Sequence, residues 1–273
     1  MATYDGMLAE SIRIQGHGGQ EIDGYLARPL GAGPFPSVVL IHHMPGWDEA
    51  SKEMARKLAF HGFATISPDL HYRERQTLSP GATSDEASAA VREAGGMSDD
   101  VVVGDVEGAM RYLRSLPYTN GKVGVIGFCS GVRQVYLLAC RIPSIDAAVD
   151  CWGGGVTATA DQLTPRQPVA PIDLTKDMNC PLLGIFGDED ARPSPADVAA
   201  TEAELKRLGK NYEFHLYENA GHGFFAVDRP SYRQQAAVEG WERVFDFYDR
   251  HLRTGAGAAT GAREQAAVPA DNA

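Results

Sequence analysis

Short apolar runs alternate with stretches of helical periodicity along most of the chain. Six runs of apolar or alternating residues have the length of strands, and they span residues 37–41, 63–67, 123–128, 147–151, 181–186 and 212–217. In several of the segments between them, apolar side chains recur every three or four residues, as in helices that bury one face. This order of elements predicts a mostly parallel sheet that is covered by helices on both faces.

Two stretches interrupt this alternation. Residues 11–14 and 24–28 are short alternating runs around a glycine-rich turn, which predicts an antiparallel hairpin at one edge of the sheet. Residues 152–179 contain three consecutive glycines and several prolines, and they show little periodicity. A loop of this length in a compact domain is usually a lid, a binding loop or a disordered insert.

The C-terminal part of the chain divides into a helix and a tail. Val238, Trp241, Phe245, Tyr248 and Leu252 are spaced as one apolar stripe of a final helix. From residue 254 onward the composition is alanine, glycine and polar residues, which is typical of disorder. We therefore expect one domain over residues 1–253 and a disordered tail over residues 254–273.

One predicted strand ends in the pattern of a nucleophile elbow. Gly127-Phe128-Cys129-Ser130-Gly131 joins it to the next helix, with cysteine where such elbows usually carry serine. The nucleophile of an elbow has a strained backbone, and side chains two positions away would clash with neighbouring backbone, which explains both glycines. Ser130 directs its N–H toward an oxyanion at a helix N-terminus. The pattern also fits an ordinary turn with a buried, inert cysteine.

Carboxylates and a histidine follow later predicted strands. Asp188 and Asp190 come directly after one strand, and His222 follows the last one. Because functional groups of parallel sheets gather at the carboxyl ends of the strands, we expect these side chains to approach Cys129. The order of nucleophile, acid and histidine is that of the α/β-hydrolase triad. His222 would take the thiol proton, and either aspartate would hold its imidazole.

On these motifs, the chain resembles the dienelactone hydrolase family of α/β-hydrolases over about residues 12–252. The resemblance rests on five short motifs, namely Gly127-Phe128-Cys129-Ser130-Gly131, Ser67-Pro68-Asp69-Leu70, Gly104-Asp105-Val106-Glu107, Gly187-Asp188-Glu189-Asp190 and Gly221-His222-Gly223-Phe224. It implies an α/β-hydrolase fold and Asp190 as the triad acid, with Asp188 as the fallback. It also implies an oxyanion hole formed by the N–H groups of Ser130 and Met44.

Three positions depart from the family pattern. Val132 stands where members often carry glycine, which implies a slightly different fit between helix and strand. His43 stands where some members place a glutamate near the resting thiol, so the activation scheme differs. Ala226 occupies the place of an arginine that holds a substrate carboxylate, four residues after the histidine. The last departure weakens the expectation of a carboxylate-bearing substrate.

Further candidates for substrate contact lie near the expected site. We expect His43, Trp47, Trp152 and Phe224 to line the pocket, although aromatic side chains of this kind often belong to the core. For His42 a structural role in holding its loop through a backbone hydrogen bond is favoured. Four arginines on nearby loops are candidates for holding an anion, namely Arg73, Arg75, Arg92 and Arg192.

Composition narrows the functional classes. The 273 residues are 44% hydrophobic, and 25 basic against 36 acidic residues give a net charge of −11. This charge argues against nucleic acid and anionic membrane surfaces as partners. No apolar run approaches the roughly 20 residues of a membrane span, and the first residues lack a signal-peptide pattern, so we expect a cytoplasmic protein.

The cysteines and histidines indicate neither disulfides nor a metal site. Cys129, Cys140, Cys151 and Cys180 are widely spaced and form no CxxC pair, which is typical of reduced thiols. All except Cys129 are expected to be buried and inert. The sequence contains no HExxH motif.

Together these observations predict a hydrolase of small carboxylic esters or lactones. It would use a triad of Cys129, His222 and Asp190, need no cofactor, and act as a monomer or homodimer on a small-molecule substrate. The alternative is a small-molecule binder or thiol sensor on the same fold that does not turn its ligand over.

Overall fold

The computed structural model describes residues 6–227 and 229–253, without the side chain of Val132. Within this part of the chain, eight strands form one sheet in the order β1-β2-β4-β3-β5-β6-β7-β8. The strands are β1 (Met7–Gln15), β2 (Glu21–Pro29), β3 (Phe35–Ile41), β4 (Ala64–Pro68), β5 (Thr119–Phe128), β6 (Ala147–Cys151), β7 (Leu182–Gly187) and β8 (Tyr212–Tyr217). The pairs β1–β2 and β2–β4 are antiparallel, and the remaining pairs are parallel. The predicted edge hairpin and the mostly parallel sheet are therefore confirmed.

Helices cover both faces of this sheet. They are α1 (Glu49–Phe60), α2 (Tyr72–Gln76), α3 (Ser84–Glu93), α4 (Asp99–Ser115), α5 (Ser130–Arg141), α6 (Pro195–Arg207) and α7 (Gln234–Leu252). Alternate residues of a central strand point to opposite cores, as the two-residue period of a strand requires. Val39 packs in the core beneath α4 and α5, whereas its neighbour Val38 packs beneath α1 and α7. The sheet thus separates two cores, each closed by its own helices.

The final helix buries a different stripe from the one predicted. Trp241, Tyr248 and Leu252 are buried as expected, but Val238 is 51% exposed. Small residues explain the shift, because Ala236, Ala237 and Gly240 form part of the buried face and let the helix pack closely on the ring of Phe225, in the loop after β8. A Cβ on Gly240 would lie 2.5 Å from the ring of Phe225. The large apolar residues therefore predicted the helix correctly but not its rotation.

The long segment after β6 is mostly irregular, as predicted, with 3₁₀ turns at Ala160–Gln162 and Pro171–Asp177. Side chains bind it to the neighbouring helices. Arg133 of α5 donates to the carbonyl of Val169 at 2.9 Å, and Arg166 forms an ion pair with Glu74 of α2. The short helix α2 was not predicted from the sequence. The predicted tail, residues 254–273, lies outside the described residues.

Helix α4 packs against the edge hairpin through glycine and a buried carboxylate. Asp105 is fully buried, accepts the N–H of His17 at 2.7 Å, and accepts two hydrogen bonds from Arg73 at 2.7 and 3.0 Å. One turn away, a Cβ on Gly108 would lie 1.9 Å from the carbonyl oxygen of Gln15. The helix can therefore reach the hairpin only with glycine at this position.

We expect Gly108→Ala to lower the free energy of unfolding by about 2 kcal/mol or more, because a methyl group would collide with backbone that cannot move aside. Urea denaturation measures this change. Gly24→Ala in β2 is the control, since its Cβ would find its nearest neighbour at 3.6 Å, an ordinary contact. Equal effects of the two substitutions would contradict the proposed close approach.

Candidate active site

The turn between β5 and α5 has the geometry of a nucleophile elbow. Cys129 has φ 56° and ψ −122°, in a region that side-chain-bearing residues rarely adopt. A Cβ on Gly127 would lie 2.8 Å from the carbonyl oxygen of Gly131, and a Cβ on Gly131 would lie 2.7 Å from those of Ile41 and His42. Both flanking glycines are therefore required by crowding, which confirms the steric explanation drawn from the sequence.

His222 and Asp190 form a hydrogen-bonded pair beside this elbow. His222 Nδ1 lies 2.8 Å from Asp190 Oδ2, and the other carboxylate oxygen accepts the N–H of Arg192 at 2.8 Å. Asp190 is only 5% exposed, whereas Asp188 is exposed to solvent. Because Nδ1 donates to the carboxylate, the other ring nitrogen of His222 faces the thiol with its lone pair when the imidazole is neutral.

Main-chain hydrogen bonds connect two segments of the site. They hold the turn after β7, here called the aspartate turn, against the end of β8 and the loop that follows it, here called the histidine loop. The N–H of Asp188 donates to the carbonyl of Tyr217, and the N–H of Glu189 donates to that of Ala220, each at 3.0 Å. A Cβ on Gly187 would lie 2.1 Å from the Ala220 carbonyl oxygen. Glycine at the end of β7 therefore allows the two loops to touch, and their backbones fix the distance between acid and histidine.

The thiol of Cys129 lies in surroundings that favour its ionised form. Burial alone would raise the pKa of Cys129, but the hydrogen bond and charge of His222, followed by the N–H groups of Ser130 and Met44, lower it below its ordinary value. The hydrogen bonds to Asp190 and Cys129 raise the pKa of His222 to about 10. Both shifts favour a thiolate beside an imidazolium, the form suited to nucleophilic attack.

The loop between β3 and α1 supplies the Met44 N–H and is held by its own histidines. His42 is fully buried, with Nδ1 2.9 Å from the carbonyl oxygen of His43, and its Nε2 accepts the N–H of Leu70 at 3.1 Å. These contacts agree with the structural role favoured for His42. His43 Nε2 lies 2.7 Å from Asp48 Oδ2, and Asp48 also begins α1 by accepting the N–H of Ser51.

No role was predicted for Asp48 from the sequence. Its place directly before a helical pattern, with Ser51 three residues later, nevertheless indicates a helix N-cap. Burial opposes ionisation of Asp48, but the hydrogen bonds from His43 and Ser51 outweigh it and lower its pKa to about 2. The carboxylate is therefore charged at neutral pH and fixes the orientation of the His43 ring. His43 is partly buried, and its expected contact with substrate remains a prediction.

The aromatic candidates differ in how deeply they are buried. Trp47 is half-buried and donates its indole N–H to the carbonyl of Ser67 at 3.0 Å, which holds its ring against the end of β4, and its contact with substrate remains a prediction. Phe224 is fully buried and Trp152 is 2% exposed, and their ring centroids lie 5.1 Å apart. The expectation that these two rings line the pocket finds no support, because tight aromatic packing encloses them.

Two of the four candidate arginines are bound to carboxylates. Arg73 pairs with the buried Asp105, and Arg75 pairs with the buried Asp69. Arg92 and Arg192 are exposed. Arg73 and Arg75 therefore stabilise the fold and do not offer a free guanidinium to a substrate.

The remaining cysteines are buried, as predicted. Burial raises the pKa of Cys140 and of Cys180 to about 12, and raises that of Cys151 well above its ordinary value. These thiols are therefore protonated and unreactive at neutral pH. Among the described residues, no three metal-ligating side chains come together, and no helix is long and apolar enough to cross a membrane.

The chain is similar to known proteins over most of its length. The model of the dienelactone hydrolase family matches residues 22–252. The chain belongs to this family. A similar protein from Escherichia coli (strain K12), named "Putative carboxymethylenebutenolidase", agrees with membership in the dienelactone hydrolase family. It is 30% identical over 238 residues, 85% of this chain and 84% of the relative.

Two further relatives of this dienelactone hydrolase family member extend the comparison. A Bradyrhizobium protein named "Probable 2-oxo-3-(5-oxofuran-2-ylidene)propanoate lactonase" is 30% identical over 251 residues, 90% of this chain and 98% of the relative. The crystal structure of a "Putative Dienelactone Hydrolase" from Klebsiella pneumoniae has a TM-score of 0.78 at 26% identity. It covers 90% of this chain and 100% of that one. The α/β-hydrolase fold is confirmed, and the protein is a carboxymethylenebutenolidase-like hydrolase of ester or lactone bonds.

We expect the rate of Cys129 alkylation by iodoacetamide to stay high well below the free-thiol pKa of about 8.5. His222→Asn removes the neighbouring positive charge, so the alkylation profile should move by about one pH unit or more toward higher pH. His215→Gln, which changes a half-buried histidine of β8, is the control. A wild-type profile that rises only near the free-thiol value would refute the thiolate–imidazolium pair.

Proposed function

We propose that this protein hydrolyses small carboxylic esters or lactones with Cys129, His222 and Asp190 as a catalytic triad. The observation that supports this most directly is the hydrogen bond between His222 Nδ1 and Asp190 Oδ2 at 2.8 Å, beside a cysteine whose thiol pKa is lowered by His222. The positive φ of the cysteine adds to the argument, as do the backbone N–H groups of Ser130 and Met44, which lower the pKa of its thiol. Each feature has a role in acyl transfer.

In the first half of the reaction the thiolate of Cys129 attacks the substrate carbonyl carbon and a C–S bond forms. The sulfur moves toward the substrate, and the N–H groups of Ser130 and Met44 then hold the oxyanion of the tetrahedral intermediate. The C–O bond breaks as His222 gives its proton to the leaving alkoxide. An ester releases an alcohol at this point, whereas a lactone leaves its new hydroxyl group attached to the thioester.

In the second half a water molecule hydrolyses the thioester. His222 takes a proton from the water, hydroxide adds to the thioester carbonyl, and the C–S bond breaks to return the thiolate. Asp190 keeps the imidazole in one orientation and stabilises its charged form in both halves. One water molecule is consumed for each ester bond, and the products are a carboxylic acid and an alcohol, or one hydroxy acid.

We further propose that the substrates are small and uncharged near the scissile bond. Ala226 replaces the arginine that the family places four residues after the histidine. Arg73 and Arg75 are neutralised by buried aspartates, so only the exposed Arg92 and Arg192 remain as candidates to replace it. Desolvating a substrate carboxylate without a cationic partner is costly, which favours uncharged lactones and short acyl esters.

The first test is steady-state hydrolysis of a panel that contains a carboxylate-bearing dienelactone, an uncharged lactone and short-chain aryl esters. We expect turnover of the uncharged substrates and its loss, by about 10³-fold or more, in Cys129→Ala. Cys140→Ala is the matched control, and circular dichroism checks that each variant is folded. Full activity of Cys129→Ala would refute the mechanism, and stoichiometric thiol modification without turnover would favour the thiol-sensor alternative.

The two aspartates of the β7 turn allow a paired comparison. Asp190→Asn should lower kcat by about 10²-fold or more, because the amide cannot stabilise the imidazolium and favours the wrong tautomer. Asp188→Asn changes an exposed carboxylate in the same turn and should leave kcat within about twofold of wild type. The reverse ranking would assign the acid to Asp188.

A further inference from the structure

The N–H of Met44 is useful to catalysis only while its peptide faces Cys129. Two carbonyls flank this N–H, those of His43 and of Met44 itself. The His43 carbonyl accepts from His42 Nδ1 and from the N–H of Gly46, each at 2.9 Å, so it is held by the loop's own residues. The Met44 carbonyl precedes Pro45, which has no N–H, and its hydrogen-bond donor comes from elsewhere in the chain.

That donor is Ser88, which lies 44 residues further along the sequence on α3. Its hydroxyl donates to the Met44 carbonyl, and its side chain is only 1% exposed. Helix α3 is itself a firm support, because Thr83 and Glu86 form a capping box at its start. The hydrogen bond from Ser88 therefore fixes the rotation of Met44 about its Cα–C bond against a second rigid element.

We propose that Ser88 is a positioning residue of the oxyanion hole, which acts by anchoring the carbonyl of Met44, so that this residue and the N–H on its other side keep their place facing Cys129. This inference rests on the proposed role of Met44 and adds a residue that belongs to no motif of the elbow, the triad or the loop. It predicts that loss of one buried hydroxyl on a distant helix impairs stabilisation of the oxyanion and of the resting thiolate together.

The chain offers a matched control in Ser51. This serine is 3% exposed, lies on α1, and donates its hydroxyl to the carbonyl of Gly46 at 3.3 Å. Ser51 and Ser88 therefore make the same kind of buried hydroxyl-to-carbonyl bond to the same loop. Of these two bonds, only the one from Ser88 reaches Met44, whose N–H we assign to the oxyanion hole.

The experiment compares Ser88→Ala, Ser88→Thr and Ser51→Ala in hydrolysis of para-nitrophenyl acetate and in alkylation of Cys129 as a function of pH. Ser88→Ala should lower kcat by about tenfold, a part of the 10²–10³ that loss of a whole oxyanion donor costs, with KM within about twofold. It should also raise the pKa of Cys129, because the thiolate loses a well-aligned donor. Ser88→Thr keeps the hydroxyl and should retain most of kcat.

Ser51→Ala should change neither kcat nor the alkylation profile, although its thermal midpoint falls as that of Ser88→Ala does. Equal losses of kcat in the two alanine variants, or an unchanged kcat in Ser88→Ala, would overturn the inference. If Ser88→Ala does not fold, Ser88→Cys keeps the volume with a weaker donor, and an unchanged kcat would then overturn it. The alkylation readout needs no turnover, so it separates failure of this inference from failure of the proposed hydrolysis.

Discussion

The crowding at the end of β5 is the constraint on which the rest of the site depends. Helix α5 begins directly after Cys129, against the carbonyls of Ile41 and His42 at the end of β3, and only glycine at positions 127 and 131 leaves room for the turn. The cysteine is thereby forced into a left-handed backbone that lifts its sulfur out of the sheet. Packing of α5 on the sheet maintains this costly conformation, so the core and the nucleophile are parts of one structure.

The electrostatics of the site follow from that placement. A thiol in this half-buried position would resist ionisation on burial alone. It is surrounded instead by a histidine with a carboxylate behind it and by N–H groups from two separate loops. Since these groups come from β3, β5, β7 and β8, the charge state of one sulfur depends on the register of half the sheet.

Much of this organisation could be predicted from sequence because local patterns determine it. The bounds of β6 and β8 agree with their runs, and the glycine pattern predicted the elbow. Features that depend on tertiary contacts could not be predicted from the sequence. Asp188 and Asp190 have the same chemistry and differ only in which one turns toward His222. The place of Phe224 in the core depends on its packing against Trp152, and the exposure of Val238 depends on which face of α7 is buried.

Long-range polar contacts were equally hidden from sequence patterns. Ser88 and Met44 are far apart along the chain, and neither stands in a motif that indicates the other. The ion pairs of Arg73 and Arg75 join residues of ordinary surface type, so the sequence suggested free guanidinium groups where the structure has bound ones. Such pairs are specified by the fold as a whole rather than by any segment.

The aspartate turn and the histidine loop are joined through their main chains, by the bonds from Asp188 to the end of β8 and from Glu189 to the loop that follows it. Main-chain hydrogen bonds do not depend on which side chains surround them. The residues on the surface of these loops are therefore free to change during evolution while the acid and the histidine keep their separation. New substrate preferences can arise by mutation of the cleft walls without rebuilding the reactive centre, and this independence helps one scaffold diversify into many hydrolases.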